Sequence, residues 1–199
     1  MCTKDNIRKR VLEGDDDEVY FISDFTTNGN DAFISRVLSE LVNEGVLDRL
    51  GLGIYFRPIQ TKFGILKPSI DSVTHAIARR DHAQILPTGE TAENMLGLST
   101  QVPMNYQYLT SGSARVIKLD GREIKLRRCT PGNFAYQGEL MPILVQAMKS
   151  IGENNITPEH TSRIAELMKE CPENDTYDHD IALAPYWIKR ILRQIRKQL

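Results

Sequence analysis

Between Asp31 and Glu44 the apolar residues Phe33, Ile34, Val37, Leu38, Leu41 and Val42 recur at helical spacing. They make one wide apolar face, with Ser35, Arg36, Ser39, Glu40 and Asn43 on the other. Gly45 ends this helix. A shorter helix over residues 4–13 faces inward through Ile7 and Val11 or Leu12 and stops at Gly14. Val19–Ile22 reads as an extended segment, and Ser23-Asp24-Phe25 opens a brief second helix. Two short apolar runs, 46–50 and 54–57, flank Gly51-Leu52-Gly53 and predict a β-hairpin. Helix, helix, helix, hairpin within the first 60 residues is the order of a winged helix-turn-helix.

Residues 58–70, with Pro58, Gly64 and Pro68, read as a linker to a second module. Asp71 is in position to cap a helix through Arg80. Pro87–Pro103 is dense in small polar residues. There Thr88 is expected to cap a helix of about nine residues that Gly97 stops. Tyr106–Thr110 reads as a strand. Arg115–Leu119 and Arg122–Leu126 alternate around Asp120-Gly121, a two-residue hairpin signal that sets Ile117, Leu119, Ile124 and Leu126 on one face. Helices follow over Leu140–Ser150, from Thr157-Pro158 to Pro172, and from about Pro185 to the end. In the last, Ile188, Ile191, Leu192, Ile195 and Leu199 form a stripe opposite five cations. That cationic face reads first as a solvated surface, and Trp187 as a packing anchor. The expected fold is α+β: a winged helix over residues 1–60 and a mixed domain over 61–199 with a small antiparallel sheet and several helices.

Composition changes this picture little. The 199 residues are 41% hydrophobic and 26% charged, as in an ordinary globular domain. No apolar run approaches the ~20 residues that span a bilayer, and Met1–Asp5 lacks the apolar core of a signal peptide, so the cytoplasm is the expected location. Cys2, Cys129 and Cys171 are too few and too dispersed for a disulfide framework or a metal knuckle. The net charge is -1 but uneven: residues 1–60 hold 7 Lys/Arg against 11 Asp/Glu, and residues 61–130 hold 10 against 6. Nucleic-acid contact would therefore come from local patches.

On the helix 31–44, Ser35, Arg36, Ser39 and Asn43 are the candidates for reading base edges, because an α-helix fits the major groove. Arg49 and Arg57 on the hairpin are candidates for phosphate contact, with Arg79, Arg80, Arg127 and Arg128 as a possible extension of that track. Catalytic patterns are weak. His75, His82, His160 and His179 form no metal set, no phosphate loop is present, and Asp178-His179-Asp180 reads as a polar loop that caps the next helix through Asp180. No enzyme activity, metal or cofactor is expected.

Three motifs carry a family resemblance. They are Leu41-Val42-Asn43-Glu44-Gly45-Val46-Leu47 leading to Gly51-Leu52-Gly53-Ile54-Tyr55; Pro87-Thr88-Gly89 through Asn94–Pro103 to Tyr108-Leu109-Thr110; and Ala184–Ile188. With them the chain resembles the AbiEi-type antitoxins of bacterial type IV toxin–antitoxin (abortive infection) systems. The resemblance implies a winged-helix domain that binds operator DNA and represses its own operon. It also implies a C-terminal domain that counters a nucleotidyltransferase-like toxin without a stable complex. Ser99, Thr100 and Gln101 mark the place to look for an antitoxin surface. In one departure, Leu52 stands where the family's wing turn often carries an arginine, which removes a phosphate or minor-groove contact. The rival readings are a protein-interaction adaptor that does not touch DNA and an enzyme that reverses a toxin's modification.

Overall fold

The computed structural model describes residues 3–119, 121–171 and 175–198. Cys2, Asp120 of the hairpin signal, Pro172 and Leu199 lie outside the described residues. The fold is α+β. The chain divides into two compact units, Met1–Ala83 with Ile117–Gly121, and Gln84–Val116 with Arg122–Leu199.

The first unit opens with helix α1 (Thr3–Leu12), strand β1 (Val19–Tyr20) and a 3-10 helix over Ile22–Asn28. The brief second helix is thus of the tighter 3-10 kind. Helix α2 (Asp31–Asn43) follows, capped by the Asn30 side chain, which accepts from the Phe33 N–H. Ile34, Val37, Leu38 and Leu41 are fully buried, each contributing about 1.5–3 kcal/mol by leaving water. They meet Ile7, Val11, Tyr20, Phe25 and Leu47 in one core. Strands β2 (Asp48–Gly51) and β3 (Ile54–Phe56) form the expected hairpin, and β1 joins its other edge, so the sheet order is β1-β3-β2 with antiparallel pairing. The Tyr20 hydroxyl is buried in this unit, 3.3 Å from the Val11 carbonyl and 3.0 Å from the Glu18 carboxylate.

The segment read as a linker is ordered. Strands β4 (Ile59–Thr61) and β5 (Gly64–Leu66) pair antiparallel into a second, isolated hairpin. Its Phe63 is 89% exposed. Helix α3 (Ile70–Arg80) then belongs with the first unit, beyond the boundary expected at residue 60. Its cap is Ser69, not Asp71: the Ser69 hydroxyl oxygen accepts from the Ser72 N–H at 3.0 Å, which leaves Asp71 in the first turn. Ser69→Ala should cost about 1 kcal/mol in chemical denaturation.

The second unit begins with β6 (Ile85–Pro87) and α4 (Glu90–Met95). Thr88 does not cap α4. Its N–H continues the strand ladder by donating to the Gln107 carbonyl at 3.0 Å, so the cap position falls to Gly89 and the helix shrinks to six residues. Gly97 does end it: with φ +68 it lets its own N–H reach the Asn94 carbonyl and the Leu98 N–H reach that of Glu93, the double closure of a Schellman turn. Strands β7 (Asn105–Thr110), β8 (Arg115–Leu119) and β9 (Arg122–Arg128) complete a sheet of order β6-β7-β9-β8. It is mixed, not purely antiparallel. β6 and β7 are antiparallel, but β7 and β9 are parallel with Tyr108 opposite Leu126. As the hairpin pattern predicts, Leu119, Ile124 and Leu126 are buried.

Helices α5 (Leu140–Ile151) and α6 (Pro158–Glu170) lie near their expected bounds, α6 with the Thr157 side chain accepting from the His160 N–H. The Asp178–Asp180 stretch is not a loop: it lies within α7 (Tyr177–Leu183). Asp180 caps no later helix; its carboxylate is completely buried and accepts from the Gln137 and Gly138 N–H groups, both at 2.9 Å. Helix α8 (Tyr186–Arg196) starts after Pro185 and buries Ile188, Leu192 and Ile195, with Trp187 packed on the same core. On its outer face Arg190 pairs with Glu153 at 2.7 Å and Arg196 pairs with Asp178.

Candidate nucleic-acid interface

The outer face of α2 is built by its own buried stripe. With Ile34, Val37, Leu38 and Leu41 inside, Arg36 and Asn43 are exposed and Ser35 and Ser39 half-buried. Arg36 stacks on Phe33, 5.4 Å from the ring centre, and lies 3.7 Å from Glu40. Ser39 is committed locally, donating to the Ser35 carbonyl at 2.8 Å. Backbone bonding of this kind makes Ser39 a weaker reader of bases than its position alone suggests.

Two of the acids that depress the net charge of this segment, Glu40 and Glu44, have partners on α1. Lys4 of α1 reaches Glu40 at 2.8 Å and Glu44 at 2.9 Å, and Arg8 reaches Glu44 at 2.7 Å. Hydrogen bonds to Glu40, then to Glu44, hold the Lys4 ammonium above its ordinary range, and the Lys4 bond holds Glu44 below its own. These pairs tie α1 to α2 and offset the negative charge beside Arg36. Sequence spacing gave no sign of them, because the partners lie 36 to 40 residues apart.

The two hairpin arginines have different fates. Arg49 is exposed, lies over the Tyr55 ring at 5.2 Å and donates to its hydroxyl at 3.2 Å. That contact steadies the guanidinium and leaves its remaining donors to solvent. Arg57 is turned inward. Its Nη2 donates to the Gly14 carbonyl at 3.1 Å and to Asp16, and its Nε is buried without a hydrogen-bond partner. It is a tie between β3 and the acidic turn, not an open phosphate contact.

The four remaining arginines belong to separate units. Arg80 stacks over Phe21 at 4.6 Å and bonds Asp81. Arg79 lines a cleft of about 620 Å³ in the first unit that Asp15, Asp17, Glu18 and Asp24 also line. Such a charge balance does not suit a phosphate backbone. Three of those carboxylates have structural work: Asp17 accepts from Ser69 and Ser72, Glu18 from Arg10 and Tyr20, and Asp24 from the Phe21 N–H. No cluster of three or more His, Cys, Asp or Glu among the described residues could hold a metal ion. Arg127 and Arg128 are exposed on β9 in the second unit.

Ser99 and Gln101 form a small turn of their own. The Gln101 N–H donates to the Ser99 hydroxyl oxygen, and its carbonyl accepts from the Asn94 side chain at 2.9 Å. Thr100 is exposed beside them. The other end of the same stretch holds a feature that sequence reading missed: a cleft of about 340 Å³ at Thr88 and Gly89. Gly89 has φ +62 and ψ -148, a region open essentially to glycine alone. An added Cβ would meet Gln107 only at 3.6 Å, so the cost of a side chain there is in the backbone. Gly89→Ala should therefore destabilise the second unit by about 1–3 kcal/mol in denaturant titration.

No curated protein matches the chain. A family model does, over residues 6–176, and with most of its length covered the protein belongs to the family of unknown function DUF6088.

Proposed function

We propose that the protein is a DNA-binding transcriptional autoregulator of the winged-helix type and the antitoxin of a type IV toxin–antitoxin system, acting in the cytoplasm without catalysis of its own. The observation that carries the reading is the first unit's architecture. Its order of helix, strand, helical turn, helix and hairpin around a β1-β3-β2 sheet leaves Arg36 and Asn43 exposed on α2 and Arg49 exposed on the hairpin. A helix with free polar ends fits a major groove, and a cation on the adjacent hairpin fits the flanking phosphates. No described helix is long and apolar enough to cross a membrane.

The test is binding of the purified protein to duplex DNA from upstream of its own gene, followed by fluorescence anisotropy across a salt series. Binding at about 50 mM salt that weakens steeply towards about 200 mM is expected. Absence of binding at the low-salt end rejects the DNA reading. For the antitoxin part, co-expression should restore growth of cells carrying a neighbouring nucleotidyltransferase-like toxin, with no co-elution of the two proteins. One observation favours the adaptor reading: Leu52 at the hairpin tip is 96% exposed. An apolar tip suits a protein contact, and the same DNA titration separates the two.

A further inference from the structure

We propose that the cleft at Thr88 and Gly89 binds a phosphomonoester carried on a polyhydroxylated, sugar-like skeleton. It lies wholly within the second unit, so the inference stands apart from the DNA reading. Its volume, about 340 Å³, lies within the range of small-molecule sites, about 300–1,000 Å³.

Two cations line it, Arg127 from β9 and Lys149 from α5. Both are exposed, and no ion pair to either is formed among the described residues. A guanidinium fork and an ammonium converging on one cleft suit the dianionic oxygens of a phosphomonoester. Gln146 lines the same cleft yet is only 5% exposed. Its Oε1 accepts from the Thr88 hydroxyl at 3.2 Å and its Nε2 donates to Asn133 at 3.3 Å. An amide nitrogen carries two hydrogens, so one donor is left without an acceptor among the described residues. That second hydrogen is available to a ligand oxygen in the cleft that Gln146 lines.

The rest of the lining defines what carries the phosphate. Thr88, Gln107 and Ser150 offer hydroxyls and an amide, and Glu90 contributes an acceptor. A carboxylate beside a phosphate site repels the anion itself and so calls for a hydrogen-bond donor on the ligand, which sugar hydroxyls supply. No aromatic side chain among the described residues lines the cleft, so a nucleobase would find no stacking surface on them. The strained backbone at Gly89 keeps the wall between Gln107 and Glu90 free of a side chain.

The same chemistry occurs in a free sugar phosphate and at the phosphorylated end of a nucleic-acid strand, and calorimetry can separate these. The full chain is titrated with ribose 5-phosphate, ribose, inorganic phosphate, and a short single-stranded oligoribonucleotide with and without a 5′-phosphate. Saturable binding of ribose 5-phosphate or of the phosphorylated strand, at least about tenfold tighter than ribose, inorganic phosphate or the unphosphorylated strand, is expected. If the sugar phosphate binds as tightly as the phosphorylated strand, the source is the free compound; if the strand binds more tightly, the source is a strand end. Arg127→Ala and Lys149→Ala should each weaken binding about tenfold with an unchanged melting temperature. Absence of saturable binding by both phosphorylated probes overturns the proposal. So does binding that both substitutions leave intact, or inorganic phosphate binding as tightly as the best probe.

Discussion

Replacing Asp180 by alanine should destabilise the second unit by about 2–3 kcal/mol, the scale of hydrogen bonds made to a charged acceptor. The Asp180 carboxylate is fully enclosed on α7 and holds the Gln137 and Gly138 N–H groups at the entry to α5, with His179 Nδ1 at 2.8 Å. Removing it takes away the acceptor that fixes two backbone donors, on exposed Gln137 and half-buried Gly138, just before α5. Burial pushes the Asp180 pKa up, but the Gln137 bond, then the His179 and Gly138 bonds, outweigh burial and leave it below the ordinary carboxylate value. The folded state thus favours the ionised form. The stability it confers is present above the unfolded value of about 3.9 and is lost as pH falls through the lower folded value. Urea titrations should show the wild type losing stability below about pH 4 more steeply than Asp180→Asn, which keeps the shape but not the titration. Parallel pH curves for the two proteins would remove Asp180 from the acid response.

Arginines 36 and 49 carry the second large expectation. On the DNA reading they act differently, and their single variants should separate. Arg36 on the exposed face of α2 is positioned over bases, so Arg36→Ala should cost about 1–3 kcal/mol on the preferred sequence and little on unrelated DNA. Arg49 on the hairpin is positioned over the backbone, so Arg49→Ala should weaken every sequence alike. It should also lower the slope of log affinity against log salt by about 1. The double variant should lose both, while Arg57→Ala, whose guanidinium faces Gly14 and Asp16, should change stability and not the salt slope. Identical DNA binding by the double variant and the wild type would sink the assignment of this face.

What could be read from the sequence and what could not divide by range. The apolar stripe of α2, the Gly97 closure and the helix start at Thr157-Pro158 are local patterns, decided within a few residues, and they occur where expected. Most of the misreadings involve partners far along the chain; the cap of α3, which is Ser69 and not Asp71, is a local exception. Thr88 has the right side chain for a cap, but its N–H is taken by Gln107. Asp180 looks like a loop acid until the Gln137 and Gly138 donors, more than 40 residues earlier, are in place. Arg57 looks free until Gly14 and Asp16 meet it. The parallel pairing of β7 with β9 passes over the adjacent β8 and leaves no periodic mark in either strand. The polar cleft is legible least of all, because it draws Thr88, Arg127 and Gln146 from three separate elements.

Tyr20 offers an optical handle on the first unit. Burial, with the Glu18 carboxylate beside the hydroxyl, pushes the phenol pKa well above its ordinary value. An unfolded tyrosine ionises near pH 10, so on the alkaline side the folded unit holds a proton that the open chain releases. Stability from this group is intact below that pH and drains away above it. In an alkaline absorbance titration the phenolate band of Tyr20 should be missing from the reversible, exposed fraction. It should appear only as the unit opens, so that the wild type minus Tyr20→Phe difference spectrum reports unfolding of this core without an added dye.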